Sequence, residues 1–295
     1  MGSVSGKVVF ITGGAAGVGA EVARQLHARG ARLVLTDVDA DALAALAGAL
    51  DDDRVLTVAA DVRDLGAMQA AADRGVQRFG GIDVVVANAG IASYGSVQQV
   101  DPEAFKRLLD INVLGVFHTV RAALPSIIDR RGYVLIVSSL AAFTAAPGLA
   151  PYNASKAAVE QFANALRLEV AYRGVDVGSA HMSWIDTAMV RDSKTDMSTF
   201  TEMISRLPYP LSSTTSVEKC GAAFVEGIEG RRTRVYCPRW VGALRWLRPV
   251  LSTRLGEAPV MRLVPDLLPR MDAEVAALGR STSSHVESMD HPDPR

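Results

Sequence analysis

The chain has 295 residues, 49% of them hydrophobic and 21% charged, with a formal net charge of −1. That is enough apolar material for a sizeable core in one or two domains, and the near-neutral balance excludes a general electrostatic attraction to nucleic acid. The two cysteines, Cys220 and Cys237, form no Cys-x-x-Cys pair, so a disulfide scaffold is excluded, a reducing compartment suits the chain and no metal site is expected.

The first residues, MGSVSGK, carry neither a basic n-region nor a long apolar h-region, so no signal peptide is expected and the localisation is read as cytoplasmic. Lys7–Thr12 is then a short β-branched run of the kind that forms a strand buried on both faces. It runs into a loop of small residues, Gly13, Gly14, Ala15, Ala16, Gly17, Val18 and Gly19, followed by a helical pattern that stops at Gly30. Strand, glycine turn and helix present backbone N–H groups and a helix N-terminus to a diphosphate. The small side chains at Gly13, Ala16, Gly17, Val18 and Gly19 let that group approach the backbone. The spacing is Gly-x-x-x-Gly-x-Gly rather than the commoner Gly-x-Gly-x-x-Gly.

Arg32–Thr36 is the second strand and ends on Asp37. A carboxylate there can accept hydrogen bonds from an adenosine ribose and repels a 2′-phosphate, which favours NAD(H) over NADP(H). Capping the following helix is the competing job for Asp37. Arg54–Ala59 is a third strand leading to Asp61 and Val62, and Ile82–Ala87 a fourth, closed by Asn88, Ala89 and Gly90. Strands and helices alternate with short connections, the pattern of a parallel, doubly wound α/β sheet. Pro102 to about Arg121 is helical and places Asn112 in an apolar neighbourhood, where a polar side chain needs a partner or a job.

Gly132–Val137 is the fifth strand and delivers Ser138 and Ser139 to the edge where ligands bind in such sheets. The uncharged run from 132 to 155 is long enough to raise the question of a membrane span, but Ser138, Ser139, Pro147, Pro151 and Asn153 break it into strand, loop and helix start. Tyr152 and Lys156 then stand at i and i+4 on one helix, hence on one face. An ammonium beside a phenol is expected to lower the phenol pKa and make it a usable acid or base. His118 and His181 read as isolated. Val175–Met182 is the sixth strand, followed by a polar stretch at about 183–215 that suits a substrate lid. Val217–Glu229 and Arg234–Tyr236 complete a sheet of about seven strands.

In order along the chain, Thr12-Gly13-x-x-x-Gly17-x-Gly19, Asn88-Ala89-Gly90, Asn112, Ser139 and Tyr152-x-x-x-Lys156 resemble the short-chain dehydrogenase/reductase family over roughly residues 5–240. The resemblance implies a single Rossmann-type catalytic domain in which Tyr152 exchanges a proton with the substrate oxygen while a hydride moves to or from a nicotinamide. It implies that Lys156 lowers the Tyr152 pKa and binds the nicotinamide ribose, that Ser139 holds the substrate oxygen and that Asn112 anchors a water in a proton relay. It further implies Asp61 and Val62 at the adenine, Asn88 near the ribose, Ile185 and Thr187 at the carboxamide, and a dimer or tetramer. One departure is visible: Met182-Ser183 stand where the family usually has Pro-Gly.

Beyond residue 240 the chain exceeds that core. Between Glu229 and Glu257 there are seven arginines and no acid. As a helix, Trp240, Ala243, Leu244, Leu247 and Leu251 share one face, Arg245 and Arg248 lie opposite, and Pro249 is expected to interrupt it. Three readings of 241–280 stay open: a helical extension packed on the pocket or a neighbouring subunit, a basic amphipathic segment on an anionic membrane, or a surface steering an anionic carrier. Residues 281–295 read as a disordered tail. The function expected is an NAD(H)-dependent interconversion of a secondary alcohol and a ketone on a lipophilic substrate. The rival is a nicotinamide-binding regulator or scaffold without turnover.

Overall fold

The computed structural model describes residues 3–50, 53–284 and 286. Seven strands form one parallel sheet: β1 (Val8–Thr12), β2 (Arg32–Asp37), β3 (Val55–Ala59), β4 (Val84–Ala87), β5 (Tyr133–Val137), β6 (Asp176–Met182) and β7 (Arg234–Cys237). Their spatial order is β3-β2-β1-β4-β5-β6-β7. Along β1 successive side chains feed opposite cores: Val9 and Ile11 join one cluster, Val8 and Phe10 the other. Because helices cover both faces, every β1 residue is buried, and the strand reads as a continuous apolar run.

The helices are α1 (Gly17–Ala28), α2 (Ala40–Leu50), α3 (Leu65–Phe79), α4 (Pro102–Leu109), α5 (Gly115–Asp129), α6 (Ala150–Val170), α7 (Ala188–Asp196), α8 (Ser198–Ser205), α9 (Val217–Glu229), α10 (Val241–Leu251), α11 (Arg254–Met261) and α12 (Val264–Leu278). Helices α4 and α5 are joined by a wider, π-type turn over Asp110–Leu114 that contains Asn112. The continuous helix 102–129 is the one among the described residues long and apolar enough to cross a membrane; its apolar face packs on α3 and the sheet. It is therefore longer than the expected stop near Arg121. The uncharged run from 132 to 155 is divided between β5, a short 3-10 turn and the start of α6.

Strand β1 pairs with β2 on one side and β4 on the other, so the chain reverses its direction of winding there. Connections leaving the two strands diverge and open a cleft at the C-terminal edge of the sheet.

The stretch after β6 contains α7 and α8. Two further sequence expectations change. Pro249 does not interrupt α10; it sits in the last turn, where few intrahelical bonds remain to be lost. Residues 281–284 and 286, expected in a disordered tail, are attached to the body of the fold. Ser281, Thr282, Ser283 and Val286 are buried, the Tyr94 amide donates to Ser281 O at 2.7 Å, and Arg107 donates to Val286 O at 2.6 Å. Residues 285 and 287–295 lie outside the described residues.

Candidate active site

The loop after β1 forms one end of the cleft. Gly13 and Gly17 take φ of +62° and +53°, where a side chain is strained. A Cβ on Gly19 would lie 2.0 Å from Gly13 O, so the first turn of α1 packs directly on the loop. Helix α1 has no side-chain cap and no acid in its first turn, which leaves its leading N–H groups free for an anion. Asn88 holds the loop from beneath, its amide nitrogen donating to Thr12 O and Gly13 O at 3.0 Å each. That amide nitrogen is committed to the backbone, and Asn88 also lines the cleft.

Asp37 reaches the same loop, accepting from the Ala15 amide at 3.1 Å and the Asp39 amide at 3.3 Å. It lines the cleft beside Val38, Asp61 and Val62. Asp61 accepts from Arg63 Nε at 2.8 Å and pairs with its Nη2 at 2.7 Å. Burial pushes the Asp61 carboxyl up, but the Arg63 bonds outweigh it and hold the group below its usual range. Arg63, a cation on the cleft wall, is thereby engaged by a carboxylate.

The proton-transfer candidates meet at the middle of the cleft. Ser139 follows β5 and caps a 3-10 turn, accepting from the Ala141 amide at 3.1 Å. Tyr152 lies in the first turn of α6 and lines the cleft with Ser139. Lys156, one turn on, has Nζ 5.5 Å from the Tyr152 ring centroid and donates to Val137 O at 3.1 Å. The helix is pinned by Ser138, which donates to Lys156 O at 2.9 Å, and by Asn153, which donates to Ala141 O and Thr144 O at 2.8 and 2.7 Å.

Electrostatics here differ from the sequence expectation. Burial pushes the Tyr152 phenol above its ordinary value, with only the Ser139 hydroxyl pulling it down. Burial also pushes the Lys156 ammonium down to about 8. Desolvation therefore wins over the expected lysine-induced lowering, because both groups are taken out of water and Nζ points to Val137 O. Tyr152 stays a neutral phenol at physiological pH, the form that can donate to a substrate oxygen.

Asn112 is fully buried, accepting from the Ile91 amide at 2.8 Å and donating to Ile91 O at 2.9 Å and Ser155 Oγ at 3.1 Å. Its side chain clamps the segment after Gly90, which answers the demand a buried amide makes; the water it was expected to anchor would have to be held by other atoms of this turn. His181 also has a job that its isolation in sequence hid. It stacks on Phe143 at 4.5 Å, pairs with Ser179 Oγ at 2.8 Å and reaches Ser139 O at 3.3 Å. Burial pushes it down to about 3, so it is a neutral support for Ser139.

Beyond Tyr152 the cavity, about 380 Å³ in all, is walled mainly by apolar side chains, including Tyr94, Leu149, Trp184, Phe200 and Val286. Trp184 and Phe200 meet edge-on at 5.5 Å, and Tyr94 meets Phe200 at 5.7 Å. Tyr94 hydrogen-bonds Ser193 of α7, and burial pushes its phenol up to about 12. Ile185 is buried and Thr187 stands at the N-cap position of α7, beside Gly17, so both stand at the junction of the glycine loop and α7. The Ser183 amide donates to Cys237 O at 2.9 Å, while its buried Oγ has no hydrogen-bond partner among the described residues. The α7–α8 stretch is fastened to α12: Glu274 accepts from Ser198, from Thr199 Oγ1 and from the Thr199 amide at 3.1 Å. Arg280 pairs with Asp196 at 3.0 Å. Sequence reasoning missed Tyr94, Phe200, Ser193 and Val286, which come from segments with no motif; only the aromatic character of Tyr94 and Phe200 hinted at a wall.

Residues 7–198 match the short chain dehydrogenase family. The chain belongs to the short-chain dehydrogenase/reductase family. Among its relatives, an oxidoreductase named SadH of Mycobacterium tuberculosis is 35% identical over 282 residues, covering 90% of this chain and 99% of that protein. A (−)-trans-carveol dehydrogenase of Rhodococcus erythropolis is 34% identical over 212 residues, covering 66% and 76%. A 3-ketoacyl-(acyl-carrier-protein) reductase of Brucella melitensis, solved with NADH, superposes with a TM-score of 0.71 at 27% identity, covering 79% of this chain and 97% of that one. The protein is thus a nicotinamide-dependent oxidoreductase of this family acting on the alcohol–carbonyl pair. The uncapped start of α1, the glycine loop and Asp37 are a set of donors and acceptors that fits such a dinucleotide. With it bound, a nicotinamide supplies or takes up the hydride.

Proposed function

We propose that the protein interconverts a secondary alcohol and a ketone on a lipophilic small molecule, with NAD(H) preferred over NADP(H). The observation that carries this reading is the meeting of Tyr152, Ser139 and Lys156 at the floor of a cleft whose outer wall is apolar. In the reducing direction the Tyr152 phenol donates its proton to the carbonyl oxygen, which Ser139 orients. In the oxidising direction Tyr152 accepts the carbinol proton. Lys156 holds the nicotinamide ribose, and Asn112 and His181 keep Ile91 and Ser139 in place. Asp37 takes the adenosine ribose hydroxyls and repels a 2′-phosphate, and Arg63 is engaged by Asp61 and does not offset that repulsion.

Segment 183–215 acts as the lid over a substrate that buries its apolar body against Trp184, Phe200 and Val286. Self-association goes with this reading: Leu114, Phe117, Leu168 and Tyr172 are exposed on α5, α6 and their flanks, and the chain works in the cytoplasm or against its membrane. The test follows reduced-nicotinamide absorbance with NAD and NADP in turn, across steroid, terpenoid and 3-hydroxyacyl alcohols beside short polar ones. Turnover confined to the apolar members, and faster with NAD, is the expected result. Preference for short polar alcohols, or for NADP, contradicts it.

A further inference from the structure

The segment 242–266 is regular, helical for most of its length, and yet contains no buried residue. Helix α11 buries none of its side chains, and α10 buries only Val241. An amphipathic helix normally hides its apolar stripe against the body it belongs to. Here the stripe faces outward: Trp246 is 79% exposed, Leu255 87% and Met261 63%, with Leu247 and Val250 also exposed. The face expected to pack is only half-buried, at Trp240, Leu244 and Leu251. Arg248 turns to the body, where it meets the buried Glu160 carboxylate at 3.3 Å, and the apolar residues of the following turn are left in solvent.

The charge around this stripe has one sign. From 239 to 262 the chain carries Arg239, Arg245, Arg248, Arg254 and Arg262 against the single acid Glu257. Arg245 lies over the Trp246 ring at 5.7 Å. Arg254 and Arg262 make no ion pair among the described residues. A two-fold contact between copies would bring this surface against itself, arginine against arginine. A Trp–Leu–Met ridge with unpaired arginines at its flanks is instead the composition of a helix lying in an anionic lipid interface.

We propose that the α10–α11 pair is a membrane-surface anchor, with Trp246, Leu247, Val250, Leu255 and Met261 entering the headgroup layer of an anionic bilayer and Arg254 and Arg262 meeting lipid phosphates. The root of the pair ties this surface to the site. Trp240 and Val241 share one apolar cluster with Phe143 and Leu140, and Leu140 also lines the cleft. The anchor stands independently of the substrate reading, since it rests on exposure and charge outside the cleft.

The test is co-sedimentation of the full chain with phosphatidylcholine vesicles, with and without phosphatidylglycerol. Two double variants are compared with it, Trp246→Glu/Leu255→Glu and Arg254→Glu/Arg262→Glu. All four positions are exposed, so circular dichroism and NAD-linked turnover in solution are expected to be unchanged in both. Binding at least about tenfold stronger to the anionic vesicles, lost in each double variant and weakened by added salt, is the result expected. Equal binding to both vesicle types, no binding, or charge reversal without effect overturns the proposal. So does a fall in solution mass for the Trp246/Leu255 variant, which would make the ridge a contact between copies.

Discussion

Replacing Lys156 by methionine is expected to stabilise the protein while removing its activity. The ammonium is fully enclosed, and burial alone brings it down to about 8 from an ordinary value of 10.5. At about 1.4 kcal/mol per tenfold, keeping it charged at neutral pH costs the folded state about 3 kcal/mol. Its hydrogen bond to Val137 O, worth about 1 kcal/mol, would be lost in the variant. Methionine keeps the length and flexibility of the stem, so little packing changes. The net gain is about 2 kcal/mol, or about 4 °C in Tm for a chain of this size, measured without nucleotide by scanning calorimetry. The sign of the pH dependence follows. The folded-state value lies below the unfolded one, so the penalty is fully present below about pH 8 and fades as pH rises towards the unfolded value of about 10.4. The gap between Lys156→Met and wild type should therefore narrow over that window. A variant less stable than wild type at neutral pH, or a gap that widens with pH, would refute the reasoning.

Gly19→Ala places a methyl group 2.0 Å from Gly13 O, which forces the loop off α1; calorimetric titration should show NADH affinity down by about tenfold or more and a stability loss of about 1–3 kcal/mol. Asp37→Ala removes a charged acceptor worth about 1.5–3 kcal/mol, so the NAD-to-NADP ratio of kcat/KM should fall by about 10- to 100-fold. Because Tyr152 is pushed up, carbonyl reduction should hold level across neutral pH and decline only in alkali, while alcohol oxidation keeps rising with pH. Nucleotide affinity should weaken above about pH 8 as Lys156 loses its proton, which titrations of NADH at several pH values would show.

Sequence and structure agree most closely where local chemistry decides. The strands were legible because residues such as Val8–Thr12 are apolar on both faces, and a sheet covered on both sides has no polar alternation to blur. The glycine loop, the Tyr152–Lys156 face and the odd interior Asn112 all carry short-range geometry, and the structure brings them to one edge. What the sequence concealed depends on burial and distance along the chain. The i, i+4 spacing puts Lys156 beside Tyr152, but only the fold shows that both are dry, which reverses the expected direction of the Tyr152 shift. His181 and Val286 gain their places from partners 42 and 179 residues away, Ser139 and Arg107, and no pattern near either position encodes those contacts. Arg248 reads as one more solvated arginine until Glu160 appears buried behind it. Pro249 reads as a breaker until it is seen to sit in the last turn of α10.

The central claim is that Tyr152 moves the substrate proton in a nicotinamide-dependent reaction. The most direct measurement compares wild type and Tyr152→Phe for NADH binding by fluorescence titration and for turnover of the best alcohol found in the panel. The account predicts NADH affinity within about threefold of wild type and a kcat lowered by about 100-fold or more, the scale of a lost general acid or base. Turnover that survives in Tyr152→Phe with nucleotide binding intact would contradict it.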